Sequence, residues 1–481
     1  MWVENNADHI VREIQVRIIR AFLEGKLVER VDRIPLDMRP LGTAPTRCCL
    51  YKDRALIKYR CMAALGFGRE DETDELTPLA EYARRALTRE KVGDPILTIL
   101  DPACSGCVQA HFHITNACRG CLARPCMVNC PKQAIVVLDG QARIDQELCV
   151  NCGRCQKVCP YHAIVRIPIP CEEACPVEAI HKDEAGHERI DYGKCIYCGK
   201  CADACPFGAI LERSQILDVL RALQGPRPVV ALPAPAVAGQ FAGGLARIVA
   251  ALKGLGFHEV VEVALGADQA AREEAVELRR RLARGERFMT TSCCPAYVHA
   301  VRKIVPALQP FVPDTLSPLQ LTAARVKARN PQAVTVFIGP CLAKRKESMD
   351  EARVDYYLTF EELAAFLAAR EMDVARCEPV QLEEEAHGEG RGFPLPGGVA
   401  VAVQTQAGAG TPVKSVLVNG LNRQTLKLLE SYATGSCPGN LVEVMNCEGG
   451  CVAGPAVIVQ PSQAARRIEE LKRGSAPLPA P

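Results

Sequence analysis

Between Cys104 and Cys205 the chain carries sixteen cysteines at short, repeating intervals, and four of them, Cys130, Cys159, Cys175 and Cys205, stand directly before proline. A lone cysteine is a small hydrophobe. The runs that end at Cys130 and Cys159 are each followed by an Ala-Ile that would pack beside whatever the sulfurs hold. Residues 1–6 show no basic start followed by an apolar core, and no twin-arginine signal occurs, so secretion is not supported and a reducing cytoplasm is expected. In that setting dense cysteine reads as metal binding rather than as disulfides. The 481 residues suggest about three domains, and an apolar share of 48% is enough to build cores in the rest. With 58 basic against 56 acidic residues, the net charge of +2 gives no case for nucleic acid or anionic lipid. The most apolar linker, 228–237, is short and interrupted by proline, so no membrane span is expected.

The cysteine runs resemble those of two-cluster bacterial ferredoxins, in which three cysteines of a run bind one [4Fe-4S] cubane and the cysteine before proline serves the other. That resemblance implies clusters on Cys118, Cys121 and Cys126 with Cys159, and on Cys149, Cys152 and Cys155 with Cys130. By the same crossover, Cys195, Cys198 and Cys201 take Cys175. Cys171 and Cys205 are then two partners short, and Cys104 with Cys107 are the candidates to complete a fourth cluster, which leaves the total at three or four. Zinc ribbons are the alternative, but they use paired Cys-x-x-Cys sites rather than full runs. Cys48, Cys49 and Cys61 lack metal-type spacing and read as structural.

Residues 1–100 show helical periodicity, clearest over 10–20, and form a mainly helical N-terminal region. The ferredoxin-like multi-cluster region is assigned to 101–215. Beyond it an α/β pattern begins, with strands predicted over 229–232, 260–265, 334–338 and 399–403 and helices over 245–252 and 270–282. The catalytic unit is placed at 216–470 and a disordered tail at 471–481.

Three stretches in this last unit belong together: Thr290-Thr291-Ser292-Cys293-Cys294-Pro295, Gly339-Pro340-Cys341-Leu342-Ala343-Lys344-Arg345-Lys346-Glu347, and Met445-Asn446-Cys447-Glu448-Gly449-Gly450-Cys451. In this order they resemble the signature loops of [FeFe] hydrogenases, Thr-Ser-Cys-Cys-Pro, Pro-Cys-x-x-Lys-x-x-Glu and Met-x-Cys-x-Gly-Gly-Cys, and the chain as a whole is most similar to the group B monomeric members. The resemblance implies an α/β catalytic domain of the iron-hydrogenase type, preceded by α+β ferredoxin-like modules and the helical region. It also implies an H-cluster, a [4Fe-4S] cubane bridged to a two-iron unit carrying carbon monoxide, cyanide and an azadithiolate. Its ligands would be Cys294, Cys341, Cys447 and the bridging Cys451. Lys344 would face a cyanide, while Pro235 and Met445 would pack beside the two-iron unit. Residues 392–399 resemble a further family turn, Phe-Gly-x-Thr-Gly-Gly-Val.

The implied activity is reversible hydrogen oxidation and proton reduction, with electrons passing through the cubanes to a ferredoxin or similar redox protein and with maturation proteins supplying the cofactor. Cys293 would carry the proton, Glu274 and Glu277 would be the inner and outer relays, and Arg281 lies one turn further along the same helix face. Three departures bear on efficiency. Pro313 falls where the family has a serine between the two glutamates, so water or Thr315 would complete the path. Gly339 replaces a methionine, and Gly454-Pro455-Ala456 replaces Gly-Gly-Gln-Pro. A non-catalytic iron–sulfur protein, either a hydrogen sensor or a relative of the cytosolic assembly factor, is the second reading. An electron-transfer module alone would leave the three loops without a purpose.

Overall fold

Cys-Pro-x-x-Ala-Ile occurs four times, at Cys130, Cys159, Cys175 and Cys205, and each copy folds alike. The residue before the alanine takes a left-handed conformation, at Gln133 (φ 51°), His162 (50°), Glu178 (52°) and Gly208 (53°). In three copies that turn aims the alanine N–H back at sulfur, with Ala134, Ala179 and Ala209 donating to Cys130, Cys175 and Cys205 at 3.3, 3.2 and 3.3 Å. The isoleucine then enters a strand. These features come from a computed structural model that describes residues 5–104, 107, 111–408 and 410–480.

Eight short strands follow from this repeat: β1 (Leu97–Ile99), β2 (His111–Ile114), β3 (Ile135–Leu138), β4 (Gln141–Ile144), β5 (Ile164–Ile167), β6 (Ile180–Lys182), β7 (Glu188–Ile190) and β8 (Ile210–Glu212). One module pairs β2 with β5 and β3 with β4, all antiparallel. The other pairs β1 with β8 and β6 with β7 in the same way. Because β1 and β8 lie at opposite ends of the region, the first module is inserted within the second. Cys104 and Cys107 therefore occupy, in the outer module, the place that Cys118 and Cys121 hold in the inner one, and Cys171 precedes its Cys-Pro by four residues as Cys126 does. The outer module begins at β1, ahead of residue 101, because a strand without cysteine carries no metal signal.

The catalytic unit contains two parallel sheets. One has the order β10 (Glu259–Val260), β9 (Val229–Pro233), β12 (Val334–Gly339), β13 (Tyr356–Thr359), and the other β11 (Met289–Thr290), β15 (Leu441–Met445), β14 (Ser415–Asn419). Every residue of β9, β12 and β15 is buried, as expected for parallel strands covered on both faces. Two predicted strands are corrected. In 260–265 only Val260 is in a strand, and a helix, Val263–Ala283, starts within the stretch. Its Gly266 crosses the Pro318–Arg329 helix so closely that a Cβ would lie 2.1 Å from Pro318 O. Residues 399–403 lie in the helix Gly398–Ala407, whose first N–H groups are held by the Glu443 carboxylate, from Gly397 N at 2.8 Å and Ala400 N at 2.7 Å. A short apolar run looks the same in a buried helix and a buried strand.

The N-terminal helices do not form a separate lobe. Ile14, Ile18 and Ile19 of the helix Asn6–Leu23 join the core built on β9 and β12. Arg12 and Arg20 pair with Glu361 and Glu371, on and just beyond the helix Phe360–Ala369, both at 3.6 Å. A fully buried Arg345 ties the outer ferredoxin module to the catalytic unit, donating to Arg213 O at 2.6 Å and Glu362 at 2.7 Å and lying 3.2 Å from Glu212. Breaking such a buried pair costs about 3–5 kcal/mol.

The expected disordered tail is also corrected. The helix Pro461–Arg473 runs through its start, and residues beyond it pack: Leu478 is only 3% exposed, Leu478 N donates to Glu389 at 2.6 Å and Gly388 N to Ala476 O at 2.9 Å. The physical reason is one apolar side chain with a prepared slot, a signal too small for composition to carry. Leu478→Ala should therefore lower stability by about 2–4 kcal/mol, as for a buried leucine. An unchanged urea midpoint would show that the tail contributes nothing.

Candidate active site

The signature loops all leave the C-terminal ends of parallel strands, where α/β sheets gather their ligands. Cys294 follows β11 and sits at the start of the helix Pro295–Lys303, Cys341 follows β12 at the start of the helix Leu342–Asp350, and Cys447 and Cys451 follow β15. All four thiols line one cavity of about 830 Å³ including its mouth, with Cys293, Lys344, Pro235 and Met445 in the same wall. The Tyr357 hydroxyl fixes the second loop, accepting from Cys341 N at 3.0 Å and facing Gly339 O at 2.8 Å. Gly339 is accounted for here, since a Cβ would meet the Phe337 ring at 2.7 Å. Gly450, at φ 82°, leaves room for Pro394 O, which a Cβ would approach to 2.3 Å.

Burial governs the electrostatics. It pushes the Cys341 thiol up to about 12 and raises Cys447 and Cys451 as well, so these sulfurs become thiolates only if positive charge arrives. Four such soft donors around an apolar cavity suit an iron–sulfur cofactor. Burial also opposes the Lys344 ammonium, but Glu347 at 2.8 Å, together with Cys341 and Cys293, more than offsets this and its pKa is raised.

Behind Cys293 lies a buried acid. Glu274 Oε1 accepts from Ser292 N and Ser292 Oγ, each at 3.0 Å, while Oε2 is buried without a hydrogen-bond partner among the described residues. Burial raises the Glu274 carboxyl to about 7 in spite of the bonds from Ser292, and Cys293 is pushed well up by burial and by the neighbouring Glu274. Glu277 faces outward, held by Arg281 at 2.6 and 2.8 Å. Arg281 also donates to Pro310 O at 2.7 Å and Val312 O at 3.2 Å, beside Pro313.

In the inner module Cys130, Cys149, Cys152 and Cys155 surround a cavity of about 340 Å³, and Cys126 lies beside Cys121 and Cys159. Cys118 packs with Cys126 and Cys159 on the module's small core. In the outer module Cys175 is close to Cys195, Cys198 and Cys201, while Cys104, Cys107, Cys171 and Cys205 are mutual neighbours. Among the described residues no three His, Cys, Asp or Glu groups converge on a point fit for one metal ion. Thiols spread around a space suit a polynuclear cluster better than zinc. Gly199, between Cys198 and Cys201, touches the catalytic unit so closely that a Cβ would lie 2.8 Å from Leu342 and 2.9 Å from Pro455.

Comparison with known families matches residues 227–455 to the iron-only hydrogenase large subunit, C-terminal domain, and 142–165 and 188–211 to the 4Fe-4S binding domain. Residues 227–455 form an iron-only hydrogenase C-terminal domain. The chain is 29% identical over 380 residues to the periplasmic [Fe] hydrogenase large subunit of Nitratidesulfovibrio vulgaris, covering 66% of this chain and 86% of that one. It is 23% identical over 287 residues to a cytosolic Fe-S cluster assembly factor of Eremothecium gossypii, covering 46% of this chain and 64% of the relative. A solved [FeFe]-hydrogenase structure overlays with a TM-score of 0.43 at 20% identity, over 53% of this chain and 88% of that chain.

The loops, Lys344 and Cys293 meet at one cavity with Glu274 behind Cys293, whereas Glu277 and Arg281 stand further out. Residues that sequence reasoning missed are partners rather than motif centres. Ser292 sits inside a motif and was visible there, but Tyr357 comes from β13 with no local signal. Glu274→Gln tests the buried acid. Its pKa rises from 4.5 to about 7 on folding, so the folded protein keeps the proton longer, and the stability this provides is lost as pH climbs from about 4.5 to 7. Urea midpoints should therefore move in favour of Glu274→Gln across that window and run parallel to wild type above it. Parallel midpoints throughout would place Glu274 in water.

Proposed function

We propose that the protein catalyses reversible hydrogen oxidation and proton reduction at an H-cluster, exchanging electrons through [4Fe-4S] clusters with a ferredoxin-type carrier in the cytoplasm. No helix among the described residues is long and apolar enough to cross a membrane. The catalytic unit is assigned to 216–470, the cluster region to 101–215 and the helical cover to 1–100. The proposed ligands are Cys294, Cys341, Cys447 and Cys451, and the residues fit: four half-buried thiols with a cationic Lys344 line one apolar cavity. When bound, the two-iron unit supplies the open iron and the amine at which hydrogen is split or formed.

The chain's own residues manage the proton. Cys293 is not needed as a ligand and faces the same cavity, with Glu274 behind it. Ser292 holds Glu274 Oε1 with two hydrogen bonds, which leaves Oε2 to exchange a proton with Cys293, and a carboxyl titrating near neutrality suits this task. Glu277, held in place by Arg281, takes the proton outward. Pro235 and Met445 close the cavity wall and keep water out. This pairing of a spare thiol with a buried acid carries the enzymatic reading, since an assembly-type relative needs ligands but no proton route.

Two experiments test it. Iron and sulfide analysis should give three or four accessory cubanes plus the active-site cubane, and about eight irons per chain would overturn the cluster assignment. Cys293→Ala should keep the infrared bands of carbon monoxide and cyanide but lose about 100-fold to 10,000-fold in viologen-driven hydrogen evolution, with partial recovery in Cys293→Asp. Cys447→Ser and Cys451→Ser should lose those bands, and Cys171→Ser should keep them. Full activity in Cys293→Ala would remove the proton role. An inactive but fully loaded wild type would favour a sensor.

A further inference from the structure

Four arginines are buried among the described residues: Arg60, Arg213, Arg345 and Arg391. Three have carboxylate partners, Arg213 with Glu70 and Asp71 at 2.5 and 3.1 Å, Arg345 with Glu362 at 2.7 Å, and Arg391 with Glu262 at 2.6 Å. Arg60 is the exception. It is 8% exposed, and among the described residues its Nη2 reaches only the carbonyls of Phe207 and Gly208, at 3.2 and 3.5 Å, and its buried Nε has no partner. The nearest acid in its own helix, Asp53, is taken by Thr46 N at 2.8 Å and Thr46 Oγ1 at 3.1 Å. An uncompensated buried charge is strongly destabilising, and guanidinium does not escape by losing its proton. Something anionic has to stand beside it.

The carbonyls that Arg60 touches belong to the Cys205 turn, and a Cβ on Gly208 would lie 3.3 Å from Arg60 Nη2. Arg47 approaches the same site from the other side, donating to Ala103 O next to Cys104 at 3.2 Å and stacking over Phe207 at 4.7 Å. Glu188 and Lys182, the other charges close to this group of cysteines, lie 3.0 Å apart and largely cancel. Ala209 N–H already donates to Cys205 at 3.3 Å.

We infer that the N-terminal helical region supplies the counter-charge of a fourth [4Fe-4S] cluster held by Cys104, Cys107, Cys171 and Cys205, with Arg60 as the residue that sets its potential. This rests on the cluster reading above. A cubane with four thiolates is an anion and gains one further negative charge when it takes up an electron, so a fixed cation held on the Cys205 turn favours the reduced form. Without the Arg60 charge the cluster is harder to reduce.

The test is an EPR-monitored redox titration, with iron analysis, of full-length protein reconstituted with iron and sulfide. Cys205→Ser identifies the signal of this cluster. If it loses neither that signal nor iron, the cluster reading fails whatever Arg60 does. In Arg60→Met the reduced-to-oxidised ratio of that signal at a fixed potential should fall about tenfold, or ~59 mV for one electron. Arg60→Lys should stay near wild type, and Arg47→Met should shift the same signal the same way by less. Should Arg60→Met lose the cluster outright, full occupancy and wild-type potential in Arg60→Lys still assign the effect to charge. An unshifted signal in Arg60→Met, or an Arg60→Lys that behaves like Arg60→Met, overturns the inference.

Discussion

Sulfur buried away from water prefers to stay a neutral thiol, while iron binds thiolate, and the structure is shaped by that conflict. Cys198, Cys201, Cys341 and Cys447 are all pushed upward by burial. Donors must therefore be aimed at sulfur before metal can be held there. The Cys-Pro-x-x-Ala-Ile turn does this with backbone, and the Tyr197 N–H does it for Cys195 at 3.4 Å. At the active site Asn446 Nδ2 points at Cys447 from 3.6 Å. The left-handed residues and glycines of these loops are the geometric consequence.

The inserted module solves a second problem, that of spacing redox centres. A domain on a single linker would let its clusters wander, whereas the inner module is tied to the outer one at both ends and packs on its own small core of Phe112, Ile135 and Ile164. The outer module is in turn locked to the catalytic unit. Lys303 donates to Tyr192 O at 2.9 Å and Cys195 O at 2.7 Å, Lys200 donates to Leu421 O, and Gly199 lies against Leu342 and Pro455. The inner Cys152 is exposed, while Cys201 is buried. The outer module thus lies against the loops that line the cavity, while the inner module carries an exposed thiol.

Local chemistry was legible in the sequence and long-range partnership was not. Cysteine spacing carries the grouping of the thiols because a run has to wrap around its own cluster, and the three loops are recognisable because their residues are chemically unusual. The insertion was hidden, since β1 and β8 are three-residue strands far apart in sequence. The 399–403 run turned helical because Glu443, on another strand, holds the helix start. Leu478 found a slot that only the folded chain defines. Tyr357 orders the Cys341 loop from the strand beside it, and nothing within either segment announces the pairing.

The segment around Pro313 shows what the altered proton path can and cannot do. Its groups nearest the route are carbonyl oxygens: Pro310 O and Val312 O face Arg281, Phe311 O faces Thr290 at 3.4 Å, and Thr315 O faces Ser292 at 3.0 Å. Proline contributes neither hydroxyl nor N–H. Carbonyl oxygens accept hydrogen bonds without taking up and passing on a proton at neutral pH. They fix the orientation of Arg281 and Ser292, and through these the positions of Glu277 and Glu274. In the proposed enzyme these carbonyls are thus a scaffold for the relay and not members of it. In that reading the step between the two glutamates falls to the carboxyl groups themselves or to water between them.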